Sequence, residues 1–240
     1  MELEYGAYSL QGKKSRPNED RYRLLGNKVP LVSRSGRGQL FAVFDGIGGA
    51  PKGRESAQAM WDCLVRFYNS ADDGNVGVSA ISAILVEANR EIFSWGFFPG
   101  TKRPQGGCAG TIAWFHRNEL YIFHTGDTVG YLIKSNTINP LTREHGEGKY
   151  IANYFGIGEK LLIDSFSFPV NEGDVLVLVS DGVTKALSRP SIMECVGHWI
   201  IQSPEMAAKQ LCQLALQRGS VDDITAVVVE VVELGSNTNS

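Results

Sequence analysis

Several things are scarce in this 240-residue chain, and each scarcity closes off a class of protein. There are four cysteines, Cys63, Cys108, Cys195 and Cys212, widely and irregularly spaced and with no CxxC pair. A thiolate zinc site is therefore not expected, and the four read as reduced core residues. The four histidines, at 116, 124, 145 and 198, lack metal-binding spacing such as HxxxH. No apolar run approaches the ~20 residues that span a bilayer; the longest, Ala226 to Val232, is broken by Glu230 and is strand-sized. Residues 1–20 carry Glu2, Glu4, Lys13, Lys14, Arg16, Glu19 and Asp20, which is no signal peptide, so a cytoplasmic protein is expected. An excess of one charge is missing too. With 23 Lys+Arg against 26 Asp+Glu the net charge is -3, which supplies no general attraction to nucleic acid or anionic lipid, and neither nucleic acid nor membrane is expected as a partner. Repeats and long linkers are absent. Low complexity is confined to the end, so one domain over 1–234 and a flexible tail over 235–240 are expected.

What is present is enough apolar sequence for a large core, 43 % hydrophobic residues with 20 % charged. Tyr5–Leu10, Tyr22–Leu25 and Gln39–Phe44 read as strands, with a polar stretch over 11–20 and a Gly/Ser/Arg-rich loop over 33–38. Ala57, Met60, Trp61, Leu64 and Tyr68 share one helical face; Ile81, Ile84, Leu85, Ala88, Ile92 and Trp95 share another. A loop over 96–107 follows. Short β-type runs then come in series over 111–115, 119–124, 129–134, 161–168 and 175–180. Two helices follow, 190–201 after Ser188 and 204–217 with Ser203 as cap and Pro204 first, before a last strand over 224–232. Strands in hairpin-like series and helices in two pairs predict an α+β fold, a four-layer α-β-β-α sandwich of two antiparallel sheets flanked by helix pairs.

Four acidic residues sit where β-type runs begin or end: Asp20, Asp45, Asp181 and Asp222. Antiparallel neighbours bring the end of one strand beside the start of the next, so the four can meet along one sheet edge. Carboxylates gathered in one place repel unless a cation neutralises them, and oxygen-only ligands suit Mg²⁺ or Mn²⁺. The glycines after Asp45 and Asp181 are expected to let the backbone turn sharply, with a carbonyl free to act as a ligand. Any single Asp-Gly pair is an ordinary turn signal. The set at matching strand ends points to a divalent-metal site and phosphate-ester chemistry without naming a substrate.

The ordered motifs resemble the metal-dependent Ser/Thr protein phosphatases of type 2C, the PPM family, in a small bacterial-like form. Asn18-Glu19-Asp20 is similar to its acidic N-terminal motif and Asp45-Gly46-Ile47-Gly48-Gly49 to DGxGG. Gly126-Asp127-Thr128-Val129-Gly130-Tyr131-Leu132 is similar to GDSRxYL, the run from Leu141 to His145 to LTxDH, Ser180-Asp181-Gly182 to SDG, and Asp222-Asp223-Ile224-Thr225 to DNxT. The resemblance implies two Mg²⁺ or Mn²⁺ ions, bridged by Asp45. Asp181 and Asp222 hold the first ion; the Gly46 carbonyl holds the second, with Glu19 contacting it through water and Asp20 in support. It implies that a water activated between the ions attacks the phosphorus of a phosphoserine or phosphothreonine on a protein substrate, opposing a Ser/Thr kinase.

Four departures qualify this expectation. The family's phosphate-gripping Arg falls at Ser15, with Arg16 one residue later as the candidate clamp. Lys185 stands where an Asp commonly joins Asp127 in holding a third metal; an Asp127–Lys185 ion pair is expected instead, and two ions rather than three. The flap before Tyr154-Phe155-Gly156 is cut to residues 146–153, which leaves 97–105, with Lys102 and Arg103, as a candidate insertion or a plain surface connection. Ile47 and Ala50 occupy positions where relatives carry His. Trp61, Trp95, Trp199, His124 and His145 are expected to be structural. Two other readings stay open: a pseudophosphatase that binds phosphoproteins or a partner, and a phosphohydrolase acting on a small metabolite.

Overall fold

A computed structural model of the chain describes residues 1–13, 17–69, 76–147 and 150–235. The first half contains β1 (Glu2–Leu10), β2 (Arg21–Leu25), α1 (Pro30–Ser35), β3 (Gln39–Gly46), α2 (Gly53–Cys63), α3 (Arg66–Asn69), α4 (Val78–Ser94) and β4 (Cys108–His116). After these come β5 (Glu119–Thr125), β6 (Val129–Lys134), β7 (Thr137–Pro140), and the two-residue strands β8 (Gly146–Glu147) and β9 (Tyr150–Ile151). The last third holds β10 (Asp164–Pro169), β11 (Val175–Val179), α5 (Asp181–Thr184), α6 (Arg189–Trp199), α7 (Pro204–Gln217) and β12 (Ile224–Glu233).

One sheet runs β1-β12-β11-β6-β7 and the other β10-β5-β4-β3-β2, with every pairing antiparallel. Their facing sides share a core of Phe41, Val43, Phe115, Ile122, Leu176, Leu178, Val227 and Val229. The opposite side of the second sheet packs on α2 and α4 through Phe44, Met60, Leu85, Ile92 and Trp114. The opposite side of the first packs on α6 and α7 through Val177, Val228, Ile192 and Leu211. This is the expected four-layer α-β-β-α sandwich. Central strands are covered on both faces, which is why β11 is an unbroken Val-Leu-Val-Leu-Val run, buried at every position.

The structure departs from the sequence reading in several places. Pro30 opens a short helix where part of a loop is expected, and Gly36 ends it at φ 64°. The first long helix breaks after Cys63, so that α3 turns Phe67 edge-on to Trp114 (5.7 Å between centroids) and Tyr68 donates to the Gly38 carbonyl (3.0 Å). Strands β7, β8 and β9 are additional. The caps of the last two helices are as read: Ser203 Oγ accepts from Met206 N at 3.0 Å and Ser188 Oγ from Ser191 N at 3.4 Å. All four cysteines are free and buried. No helix among the described residues is long and apolar enough to cross a membrane.

Candidate metal centre

The four strand-end aspartates and Asp127 converge at one end of the sandwich. Asp45 lies in β3 opposite Ala109, and Asp181 opens α5, with one residue, Ser180, between it and the end of β11. Asp222 precedes β12, and Asp127 sits in the link from β5 to β6. Oxygens of Asp45, Asp127 and Asp181 all lie within 4.8 Å of one another. These three, with Glu19, Asp222 and Lys185, line a cleft of about 920 Å³. The tight group thus contains Asp127, which the sequence reading set apart as a third-metal residue, while Asp222 stands beside it.

The glycines after Asp45 and Asp181 have a different purpose from the sharp turn expected of them. Neither has a positive φ. A Cβ on Gly182 would fall 2.0 Å from the Asp223 carbonyl oxygen, and one on Gly46 would fall 2.6 Å from the Gly53 carbonyl carbon. Close backbone approach excludes any side chain there.

Asp223, which the sequence reading passed over for its neighbour, ties the N-terminal segment to this edge. Its buried carboxylate accepts from Gly12 N (2.6 Å) and Glu19 N (2.8 Å). The same segment is held by Asn18, which donates to Ser9 Oγ (2.9 Å) and accepts from Asp20 N (2.8 Å). Ser9 Oγ is in turn 2.7 Å from Thr225 Oγ1. An acidic residue that begins a strand and neighbours a chosen one was the signal available. Arg16, the expected phosphate clamp, and Ser15 lie outside the described residues.

The electrostatics are those of a site built for cations. Burial, then Asp20, Asp181, Asp127 and Asp222, push the Asp45 carboxyl well above the usual carboxylate range. Burial raises Asp20 to about 7, with Asp223 and Asp181 adding and the Thr225 and Ser180 hydroxyls opposing. Asp127 rises to about 6 through burial and Asp181, with Lys185 opposing. Glu19 is raised by burial and then by Asp223. Both oxygens of Asp20 and Oδ1 of Asp127 are buried with no donor at hydrogen-bonding geometry among the described residues. Orphaned buried carboxylate oxygens are costly. An all-oxygen group of this kind matches a hard divalent cation such as Mg²⁺ or Mn²⁺, so the residues present fit the metals expected.

Lys185 corrects a second expectation. Its ammonium does not pair with Asp127. It donates to Asp181 Oδ2 and, at 3.4 Å, to Asp222 Oδ2. Lys185 is one helical turn beyond Asp181, and i,i+4 spacing lays its side chain back over that carboxylate. Partial burial opposes its charge, but the Asp181 and then Asp222 carboxylates raise its pKa overall.

His145 lines the cleft without a free nitrogen: Asn153 Nδ2 donates to Nδ1 (2.8 Å), so Nε2–H points to Asp164 Oδ2 (3.1 Å). His124 is equally engaged, with Thr111 Oγ1 at Nδ1 (2.9 Å) and the Arg143 carbonyl at Nε2 (2.9 Å). Both are structural, as expected. Residues 97–105 lie against the loop that follows Asp45, over residues 47–52. Arg103 donates to the Gly49 carbonyl (2.9 Å), Lys52 N donates to the Gln105 carbonyl (2.8 Å), and Pro104 joins the cleft wall.

Comparison with known proteins agrees with this geometry. Residues 6–147 match the profile of the family described as protein phosphatase 2C, and residues 111–232 match that of stage II sporulation protein E. The probable protein phosphatase 2C 30 of Arabidopsis thaliana is 25 % identical over 95 % of this chain and 67 % of its own length. The serine/threonine protein phosphatase PstP of Mycobacterium tuberculosis is 24 % identical over 81 % of this chain and 41 % of its own length. The chain thus spans between two-fifths and two-thirds of these relatives. Among solved structures, the M. tuberculosis phosphatase PstP/Ppp superposes with a TM-score of 0.78 at 22 % identity, covering 96 % of this chain and 99 % of that one. The PstP catalytic domain in complex with two manganese ions gives 0.78 at 24 %, with the same coverage. More than half of the residues fall under the first profile, and the chain belongs to the protein phosphatase 2C family.

Proposed function

We propose that this chain is a protein-serine/threonine phosphatase, hydrolysing phosphoserine and phosphothreonine monoesters on proteins with two Mg²⁺ or Mn²⁺ ions. In this reading it opposes a Ser/Thr kinase in cytoplasmic signal transduction, and one domain over 1–234 carries the activity. The observation that carries the proposal is the meeting of Asp45, Asp127 and Asp181 within 4.8 Å, backed by the orphaned oxygens of Asp20 and Asp127. When bound, two such ions supply an activated water and neutralise charge developing on the phosphoryl oxygens.

The chain's own residues hold and orient these parts. Asp45 would be shared by the two ions; Asp181 and Asp222 would hold one, and the Gly46 carbonyl and, through water, Glu19 would hold the other. Asp20 sits behind Asp45 and raises the negative potential of the cluster. Arg16 grips the phosphate. Ile47 and Ala50 carry no proton, so the leaving alkoxide takes one from water. The short strands β8 and β9 lend Gly146 and Ile151 to the cleft wall.

The test is hydrolysis of a phosphothreonine peptide with Mn²⁺, with chelator, and with Asp45→Asn plus Mn²⁺. Turnover in the first arm alone is expected; equal turnover in all three ends the proposal. The Lys185 contact with Asp181 and Asp222 favours a second reading, a non-catalytic phosphoprotein-binding member, which predicts no turnover in any arm.

A further inference from the structure

Resting on the metal-centre reading above, we propose that Lys185 is a resident cation that competes with one divalent ion for the Asp181–Asp222 carboxylate pair. Loading of that position then becomes the weaker and more metal-concentration-dependent of two steps.

The geometry is specific. Lys185 Nζ donates to Oδ2 of both Asp181 and Asp222, two residues 41 positions apart that meet only through the fold. Asp181 is at the same time one of the three carboxylates that lie within 4.8 Å of one another. A carboxylate oxygen has two lone pairs and can accept from an ammonium while it ligates an ion, so the competition is one of charge: a second positive charge a few ångströms away repels a divalent ion and neutralises part of the negative charge that would hold it. Seating the ion therefore costs the Lys185 contacts in whole or in part.

The side chain is suited to leaving. It is unbranched and 59 % exposed, so the charge can swing out into solvent at the cost of its two contacts, with Asp181 and Asp222. Among the described residues its hydrogen bonds go to Asp181 and Asp222 and none to Asp45, Gly46 or Glu19, the residues assigned to the other ion. Lys185 therefore acts on the carboxylates that hold the ion, as a positioning residue, and touches no reacting atom.

Isothermal titration of the full chain with Mn²⁺ alone, after stripping by chelator, tests this in wild type, Lys185→Met and Lys185→Arg. In wild type and Lys185→Arg two steps of unequal affinity are expected. In Lys185→Met the weaker step tightens by about tenfold. Thermal melts in chelator supply a readout independent of metal: Lys185→Met melts lower than wild type, because Asp181 and Asp222 lose the charge of the Lys185 ammonium, and saturating Mn²⁺ removes the difference. Mn²⁺ uptake with the same or weaker affinity in Lys185→Met overturns the role of Lys185 and leaves the metal centre standing. No Mn²⁺ uptake by any of the three overturns the metal centre, and this inference with it.

Discussion

Two clusters of buried polar groups lie side by side at the open end of the sandwich, and they are built on opposite terms. Around His124 and His145, each ring nitrogen has a protein partner, and Thr111, Thr128, Asn153 and Asp164 complete the set. Around Asp45, carboxylates face carboxylates, and both oxygens of Asp20 and Oδ1 of Asp127 find no donor at hydrogen-bonding geometry among the described residues. A satisfied network fixes one arrangement of the chain. An unsatisfied one of a single sign stores repulsion that a proton or a cation relieves. The comparison separates scaffold from site without reference to any relative.

The sharpest way to break the comparison is Asp45→Asn. Mn²⁺-dependent turnover of a phosphopeptide is expected to fall by about 10³-fold, while the melting temperature in chelator holds or rises because one repelling charge is gone. A melting temperature that falls along with activity would class Asp45 with the scaffold.

Next in size is Asp20→Asn in chelator. A carboxyl held near pH 7 against 3.8 unfolded destabilises the fold once it ionises, so the native state loses stability as pH rises from about 4 to 7. The asparagine variant is expected to flatten that loss, by a few kcal/mol at pH 8, in urea unfolding. Mn²⁺ at 100 times its Kd restores wild-type stability by about 2.7 kcal/mol per ion.

The histidine cluster responds with the opposite sign. Burial, then the neighbouring His145, hold the His124 pKa down to about 4 against 6.5 unfolded. Its contribution is complete above pH 6.5 and is lost as pH falls toward 4, by up to about 3 kcal/mol. Denaturant midpoints of wild type and His124→Gln between pH 7 and 4.5 check this: the variant starts lower and the two curves converge on acidification. Parallel curves would show that His124 keeps its proton balance on folding.

The smallest effect calibrates the rest. Arg66 pairs with Glu87 (3.3 Å) and Glu91 (3.4 Å), all at least 45 % exposed. Arg66→Ala is expected to shift stability by less than about 1 kcal/mol.

Layer order was legible because each layer writes its own period. The Val-rich run of β11, the Ile81–Trp95 face of α4 and the Ser203-Pro204 start of α7 are local patterns with local physical causes. The break between α2 and α3, which carries no glycine or proline, was not legible, because it is set by Phe67 and Tyr68 finding Trp114 and Gly38 across the fold. Asp223 was missed for a similar reason: its partners, Gly12 and Glu19, lie more than 200 residues away in sequence.

By itself the sequence determined the element types, the four layers and the aspartates that would share one edge, because periodicity and Asp-at-strand-end are properties of neighbouring residues. Only the tertiary structure decided which carboxylates actually touch, that Gly46 and Gly182 serve close packing rather than a turn, and that Lys185 reaches Asp181 and Asp222 instead of Asp127. Those outcomes depend on distances between segments far apart in the chain, and such distances are set by how two sheets stack.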